Sequence, residues 1–88
     1  VNLDSLLSAL KKKEFTTAKN WVVQHMDNDP TTVMRKIYDS LYNVLKPASI
    51  PEAVLIIAKY MNSIPIVPDQ EINLLACLTE VMMSCEFR

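Results

Sequence analysis

The side chains that could carry out chemistry in this sequence are few and poorly grouped. His25 is the single histidine, and Cys77 and Cys85 are the two cysteines. One histidine is too few for a histidine-based metal cluster, and the serines lack the context of a nucleophile elbow. Glu80 and Glu86 are six residues apart, which places them on opposite faces of a helix. We therefore expect no enzyme activity, no metal and no cofactor in this chain.

The two cysteines lie in one helical segment, which bears on their oxidation state. Cys77 and Cys85 are eight residues apart, so a helix would separate their Cα atoms by about 12 Å. That distance is too long for a disulfide bond. The sequence predicts two reduced thiols that fill the core, as is usual in a cytoplasmic protein.

Composition excludes several classes of binding site. The 88 residues include no glycine, which excludes the phosphate-binding loops and disfavours tight β-hairpins. Nine basic and ten acidic residues give a net charge of −1, which shows no electrostatic footprint for nucleic acid. The lysine run at 11–13 is typical of a solvated helix end, and the alternative interpretation is a basic patch for DNA. The longest apolar run, 53–58, is too short to cross a bilayer, so we expect no membrane partner.

Hydrophobic periodicity predicts five helices joined by short links. They cover 3–12, 14–26, 30–45, 50–62 and 70–86. Asp29 and Asp69 are predicted N-caps, and Ser49-x-x-Glu52 has the pattern of a capping box. Asn28 is a candidate for the left-handed position that ends the second helix.

These elements predict an all-α five-helix bundle, with residues 1–88 forming a single domain. The amphipathic pattern begins almost at once, and no basic segment precedes it. We therefore expect no signal peptide. We also expect the chain to be a piece of a longer protein whose remainder lies on the N-terminal side.

The last two helices carry more apolar surface than a one-faced helix needs. From 72 to 85, ten of fourteen residues are apolar, and Asn73, Glu80 and Ser84 lie within about 40° of one another. An 88-residue chain buries only about 60–65% of its unfolded surface, so we expect another protein to cover the remainder. Two alternatives are a central helix wrapped by the other four and a hydrophobic ligand pocket. The predicted interface residues are Val54, Ile57, Met61, Ile72, Leu75, Leu78, Thr79, Met82 and Met83.

Five short motifs resemble one protein family. They are LLSALKKKEF at 6–15, IYDSL at 37–41, KPASI at 46–50, DQEINL at 69–74 and SCEFR at 84–88. Together they resemble the C-terminal collar domain of sliding-clamp loader small subunits. The likeness is greater to the T-even-type phage subunits than to cellular replication factor C.

The resemblance implies a scaffold rather than a catalyst. In that family the collar domains of five subunits form a ring, and the ATPase (AAA+) modules lie below it. By this likeness the partners are other clamp-loader subunits, in a homo- or hetero-oligomer that works in DNA replication. The sliding clamp and primer-template DNA would meet only the missing parts of the parent chain. The alternative is a generic helical adaptor that binds an amphipathic partner helix. A small DNA-binding helical domain is less well supported.

Overall fold

The part of the chain that the structure describes contains five α-helices and one 3₁₀ turn. The computed structural model describes residues 2–88. The elements are α1 (Asp4–Lys12), α2 (Phe15–Gln24), α3 (Pro30–Val44), the 3₁₀ turn (Pro47–Ser49), α4 (Ile50–Ser63) and α5 (Gln70–Ser84). The predicted all-α five-helix bundle is confirmed, and each helix ends within two residues of its predicted bound.

Two aspartates begin helices, as their positions predict. The carboxylate of Asp29 accepts the backbone N–H of Thr32 at 2.9 Å, and Pro30 follows it in the first helical turn. That hydrogen bond lowers the pKa of Asp29 below its ordinary value. Asp69 accepts the N–H of Ile72 at 3.1 Å at the start of α5. These local bonds satisfy N–H groups that have no partner within a helix.

Ser49 does not form the predicted capping box. Its backbone is already helical (φ −90°, ψ −11°), whereas a capping side chain needs an extended backbone. The hydroxyl instead accepts the N–H of Glu86 at 2.9 Å. The serine therefore joins the start of α4 to the C-terminal segment.

The left-handed residue is also not where the sequence placed it. Among residues 2–88, Lys13 (φ 58°) is the one non-glycine residue with positive φ, so the prediction for Asn28 is wrong. Lys13 ends α1 and donates its N–H to Leu10 O at 3.2 Å. Only two residues, Lys13 and Glu14, connect α1 to α2. So short a connection requires a sharp change of chain direction, which a left-handed residue provides.

Helix α5 is the central helix of the bundle. It packs against α1, α2, α3 and α4. On its buried side, α5 is therefore covered by the other four helices, as the alternative of a wrapped central helix predicts. The buried core draws on every helix and is represented by Leu6, Val22, Ile37, Ile56 and Leu78. Cys77 and Cys85 are free and buried in the same core, which confirms the predicted thiols.

The C-terminal segment is extended rather than helical, which corrects the predicted end of the last helix. Glu86 O accepts the N–H of Lys46 at 2.9 Å, and Arg88 donates its N–H to Val44 O at 2.9 Å. The Nε of Arg88 also donates to Leu45 O at 3.1 Å. This pairing holds the segment against the end of α3, close to the last turn of α1.

None of the helices within residues 2–88 has the length and hydropathy needed to cross a bilayer.

Candidate interaction surface on helix α5

The polar side of α5 faces α4. Asn73 is buried, and its Nδ2 donates to Tyr60 O at 3.2 Å. Glu80 accepts Lys59 Nζ at 2.7 Å and the Tyr60 hydroxyl at 2.8 Å. Of the three polar residues that the sequence groups on one side of this helix, Asn73, Glu80 and Ser84, only Ser84 is exposed. Because α4 engages the polar side, a different side of α5 remains at the surface.

The side of α5 that meets solvent is largely apolar. Ile72, Ala76, Thr79 and Met83 lie within about 60° of one another on the helix. Ile72 is 64% exposed and Met83 is 72% exposed. The Thr79 hydroxyl donates to Leu75 O at 2.7 Å, so its proton is already engaged within the helix. This row therefore offers a neighbour mainly apolar contact.

A shallow groove follows the row and widens it toward α2. Its volume is about 500 Å³. Phe15, at the start of α2, lies beside the row and is 46% exposed. We call the combined surface the α5 strip, and its members are Phe15, Ile72, Leu75, Ala76, Thr79 and Met83. This apolar surface is the candidate for contact with another protein.

An ion pair and a tyrosine border the α5 strip on the side of α4. Hydrogen bonds from Lys59 and then Tyr60 lower the pKa of Glu80 below its ordinary value. The hydrogen bond to Glu80 in turn raises the pKa values of Lys59 and Tyr60. At neutral pH the pair carries compensating charges, so this border adds no net charge to the apolar surface.

The structure separates the nine predicted interface residues into three groups. Four lie on the α5 strip: Ile72, Leu75, Thr79 and Met83. Three are buried in the chain's own core: Ile57, Leu78 and Met82. The prediction is wrong for Leu78 and Met82, because side chains already covered by this chain cannot present their surface to another. Ile57 is only 4% exposed, but it also lines a groove between α3 and α4.

The remaining two predicted residues belong to a second, smaller groove. Val54 is exposed and Met61 is half-buried, and both line a groove between α3 and α4 with a volume of about 280 Å³. The rest of the lining is Ile57, Ala58, Tyr38 and Arg35. Arg35 is paired with Asp39 at 3.1 Å. Val54 and Met61 thus do not share a surface with the α5 strip.

Phe15 and Ala76 are the two members of the strip that are absent from the predicted interface, and Phe15 is the larger and lies on another helix. Its spacing from Ala18 and Val22 favours a place in the core, and those two residues are indeed buried. Phe15 lies one turn before them, where α2 begins beside α5. The periodicity of apolar residues identifies which side of a helix faces the core, but not how far along the helix the core extends. The sequence therefore does not show that Phe15 is exposed.

Of the residues that could do chemistry, His25 and the two cysteines do not line the groove along the strip, whereas Glu80 borders it. His25 stacks on Trp21 with ring centroids 4.0 Å apart, and its Nδ1 lies 2.7 Å from Trp21 O. Burial raises the pKa of Cys77 to about 12. Within residues 2–88, no three His, Cys, Asp or Glu side chains are grouped so that they could hold a metal ion.

Comparison with known families finds no family that matches this chain, and comparison with curated proteins finds no significant match.

Proposed function

We propose that this chain is an oligomerisation domain that packs its α5 strip against a neighbouring subunit. The observation that carries the proposal is the exposure of Ile72, Met83 and Phe15 along one continuous surface. A core composed of all five helices leaves this surface uncovered, although α5 is the central helix. The resemblance to clamp-loader collar domains, noted from sequence motifs, supports the same assignment.

The size of the strip indicates how strongly one pair of domains would associate. Complete burial of a large apolar side chain contributes about 1.5–3 kcal/mol. Ile72, Met83 and Phe15 are each between roughly half and three-quarters exposed, so covering all three on one domain would contribute about 4 kcal/mol, and a pair that buries both strips would gain about 8 kcal/mol. Association costs about 4–15 kcal/mol in lost freedom of motion. Two isolated domains should therefore bind weakly, and stable assembly needs further contacts or linkage to other parts of the parent.

The proposed biological setting is the clamp loader of DNA replication. In this assignment the domain holds subunits together while the AAA+ modules of the parent chain bind and hydrolyse ATP. The domain itself would be a scaffold with no cofactor. Contacts with the sliding clamp and primer-template DNA in that cycle would belong to those modules.

Sedimentation velocity over a concentration series, from micromolar to near-millimolar protein, tests the proposal. We expect the average mass of the wild-type chain to rise with concentration. Ile72→Glu should abolish the rise, because association would desolvate a carboxylate on an apolar surface. Val23→Glu is the matched control: Val23 is 50% exposed on α2 and outside the strip, so this variant should associate like the wild type.

A wild-type chain that stays monomeric over the whole series would refute self-association through the α5 strip. Equal loss of association in both variants would show that added charge, rather than the strip, is responsible. The adaptor alternative draws its support from the α3–α4 groove around Val54 and Met61. It predicts a monomer that binds an amphipathic peptide, with affinity that falls in Val54→Glu and not in Ile72→Glu.

A further inference from the structure

Positive charge is concentrated at one end of this nearly neutral protein. A cleft between the last turn of α1, the end of α3 and the C-terminal segment is lined by Lys11, Lys12 and Arg88. Among residues 2–88, no acidic side chain lines it. The nearby Glu86 is 3.8 Å from Lys46 in an ion pair, so its charge is compensated. The overall net charge of −1 conceals this local excess.

The cleft is formed by ordered elements. Its volume is about 640 Å³, within the range of about 300–1,000 Å³ that is usual for ligand sites. Two backbone carbonyls hold Arg88: Val44 O accepts its N–H at 2.9 Å, and Leu45 O accepts its Nε at 3.1 Å. These bonds restrict the arginine in the cleft and leave its terminal nitrogens as donors for a ligand.

The lining combines cations with an aromatic ring. Ser8 and Asn43 add a hydroxyl and an amide, and Phe87 adds a half-buried ring. Lysines at the end of α1 also offset the helix dipole, but that role does not explain an arginine and a phenylalanine brought there from the opposite end of the chain. Cations that contact phosphates, beside an aromatic ring on which a base can stack, are the usual features of a site for single-stranded nucleic acid.

We propose that this cleft binds single-stranded nucleic acid, with phosphates on Lys11, Lys12 and Arg88 and a base on the Phe87 ring. The cleft shares no residue with the α5 strip. The proposal therefore goes beyond oligomerisation, and the two proposals can be tested independently.

The test is fluorescence anisotropy of a labelled oligothymidylate titrated with the 88-residue chain. Each phosphate contact on a single strand contributes about −0.7 to the slope of log K against log salt. Three contacts predict a slope of about −2, or roughly twentyfold weaker binding at about 200 mM than at about 50 mM salt. Lys12→Gln should reduce the slope to about −1.4. Lys19→Gln, at an exposed lysine outside the cleft, should leave the slope and the affinity unchanged.

A second pair of variants tests the ring. Phe87→Leu should weaken binding about fivefold or more with the same salt slope, because the base loses its stacking partner. Phe87→Tyr keeps the ring and should bind like the wild type. Circular dichroism of each variant checks that the helices are retained.

Three results would overturn the proposal. The first is no anisotropy change at about 50 mM salt. The second is equal weakening by Lys12→Gln and Lys19→Gln, which would indicate a diffuse charge effect. The third is equal affinity of Phe87→Leu and the wild type together with full competition by inorganic pyrophosphate, which would indicate a small-anion site.

Discussion

Two adjacent methionines in α5 provide a sharp test of where the core ends. Met82 is 4% exposed and Met83 is 72% exposed. The variants Met82→Glu and Met83→Glu make the same chemical change one residue apart on the same helix. We expect the first to destabilise the domain strongly and the second to leave its stability almost unchanged.

The expected magnitudes follow from burial. Met82→Glu loses about 2 kcal/mol of apolar burial and places a carboxyl group in the core at a further cost of several kcal/mol. The sum, about 5 kcal/mol or more, is comparable to the total stability of an 88-residue domain, about 4–13 kcal/mol. With an unfolding entropy of about 0.18 kcal/mol/K for this length, Tm should fall by about 25 °C. Met83→Glu should change stability by less than about 0.5 kcal/mol, since surface substitutions rarely do more.

Thermal and urea unfolding followed by circular dichroism at low protein concentration measures both variants as monomers. Met82→Ala is a control without a charge, and it should cost about 2–5 kcal/mol from lost apolar burial and the cavity together. If Met83→Glu lowers Tm as much as Met82→Glu does, the surface of α5 is not where the structure places it. If Met82→Glu unfolds like the wild type, the proposed boundary of the core is wrong.

Two further predictions concern ionisable groups. The pKa of Glu80 is lowered mainly by its hydrogen bond from Lys59. Ionised Glu80 therefore stabilises the folded protein above the ordinary pKa of this carboxyl group, 4.5. This stabilisation is lost as the pH falls through the lower pKa that Glu80 has in the folded state. The urea midpoints of the wild type and Glu80→Gln should differ at pH 7 and converge at acidic pH. A difference that does not change with pH would contradict the stabilising role of ionised Glu80. Burial raises the pKa of Cys77 to about 12, so this thiol should not react with a disulfide reagent near pH 8 in the native protein and should react in urea. Rapid native labelling of Cys77 would contradict its place in the core.

The candidate site could be predicted from the sequence only in part. The excess of apolar residues in 72–85 shows that α5 cannot be a one-faced helix, and four large apolar side chains of α4 and α5 do remain exposed: Val54, Leu55, Ile72 and Met83. Which of them share a surface depends on packing. The sequence pattern groups Met82 with Met83, but the structure places the first in the core and the second on the α5 strip.

Local chemistry by itself determined the helices of this protein. The caps at Asp29 and Asp69 and the spacing of apolar residues act over three or four positions, so they can be recognised without knowledge of the fold. The number of apolar residues in the last two helices likewise predicted that some apolar surface would stay exposed after folding.

Only the tertiary structure decided which surface that is. Asn73 and Glu80 meet the backbone or side chains of α4, more than ten residues away in the chain. That contact turns the polar side of α5 inward and the apolar row outward. Arg88 reaches the lysines of α1 only because it pairs with the end of α3. Hydrogen bonds and charge interactions depend on the distance between two groups in space. The separation of those groups along the sequence does not give that distance.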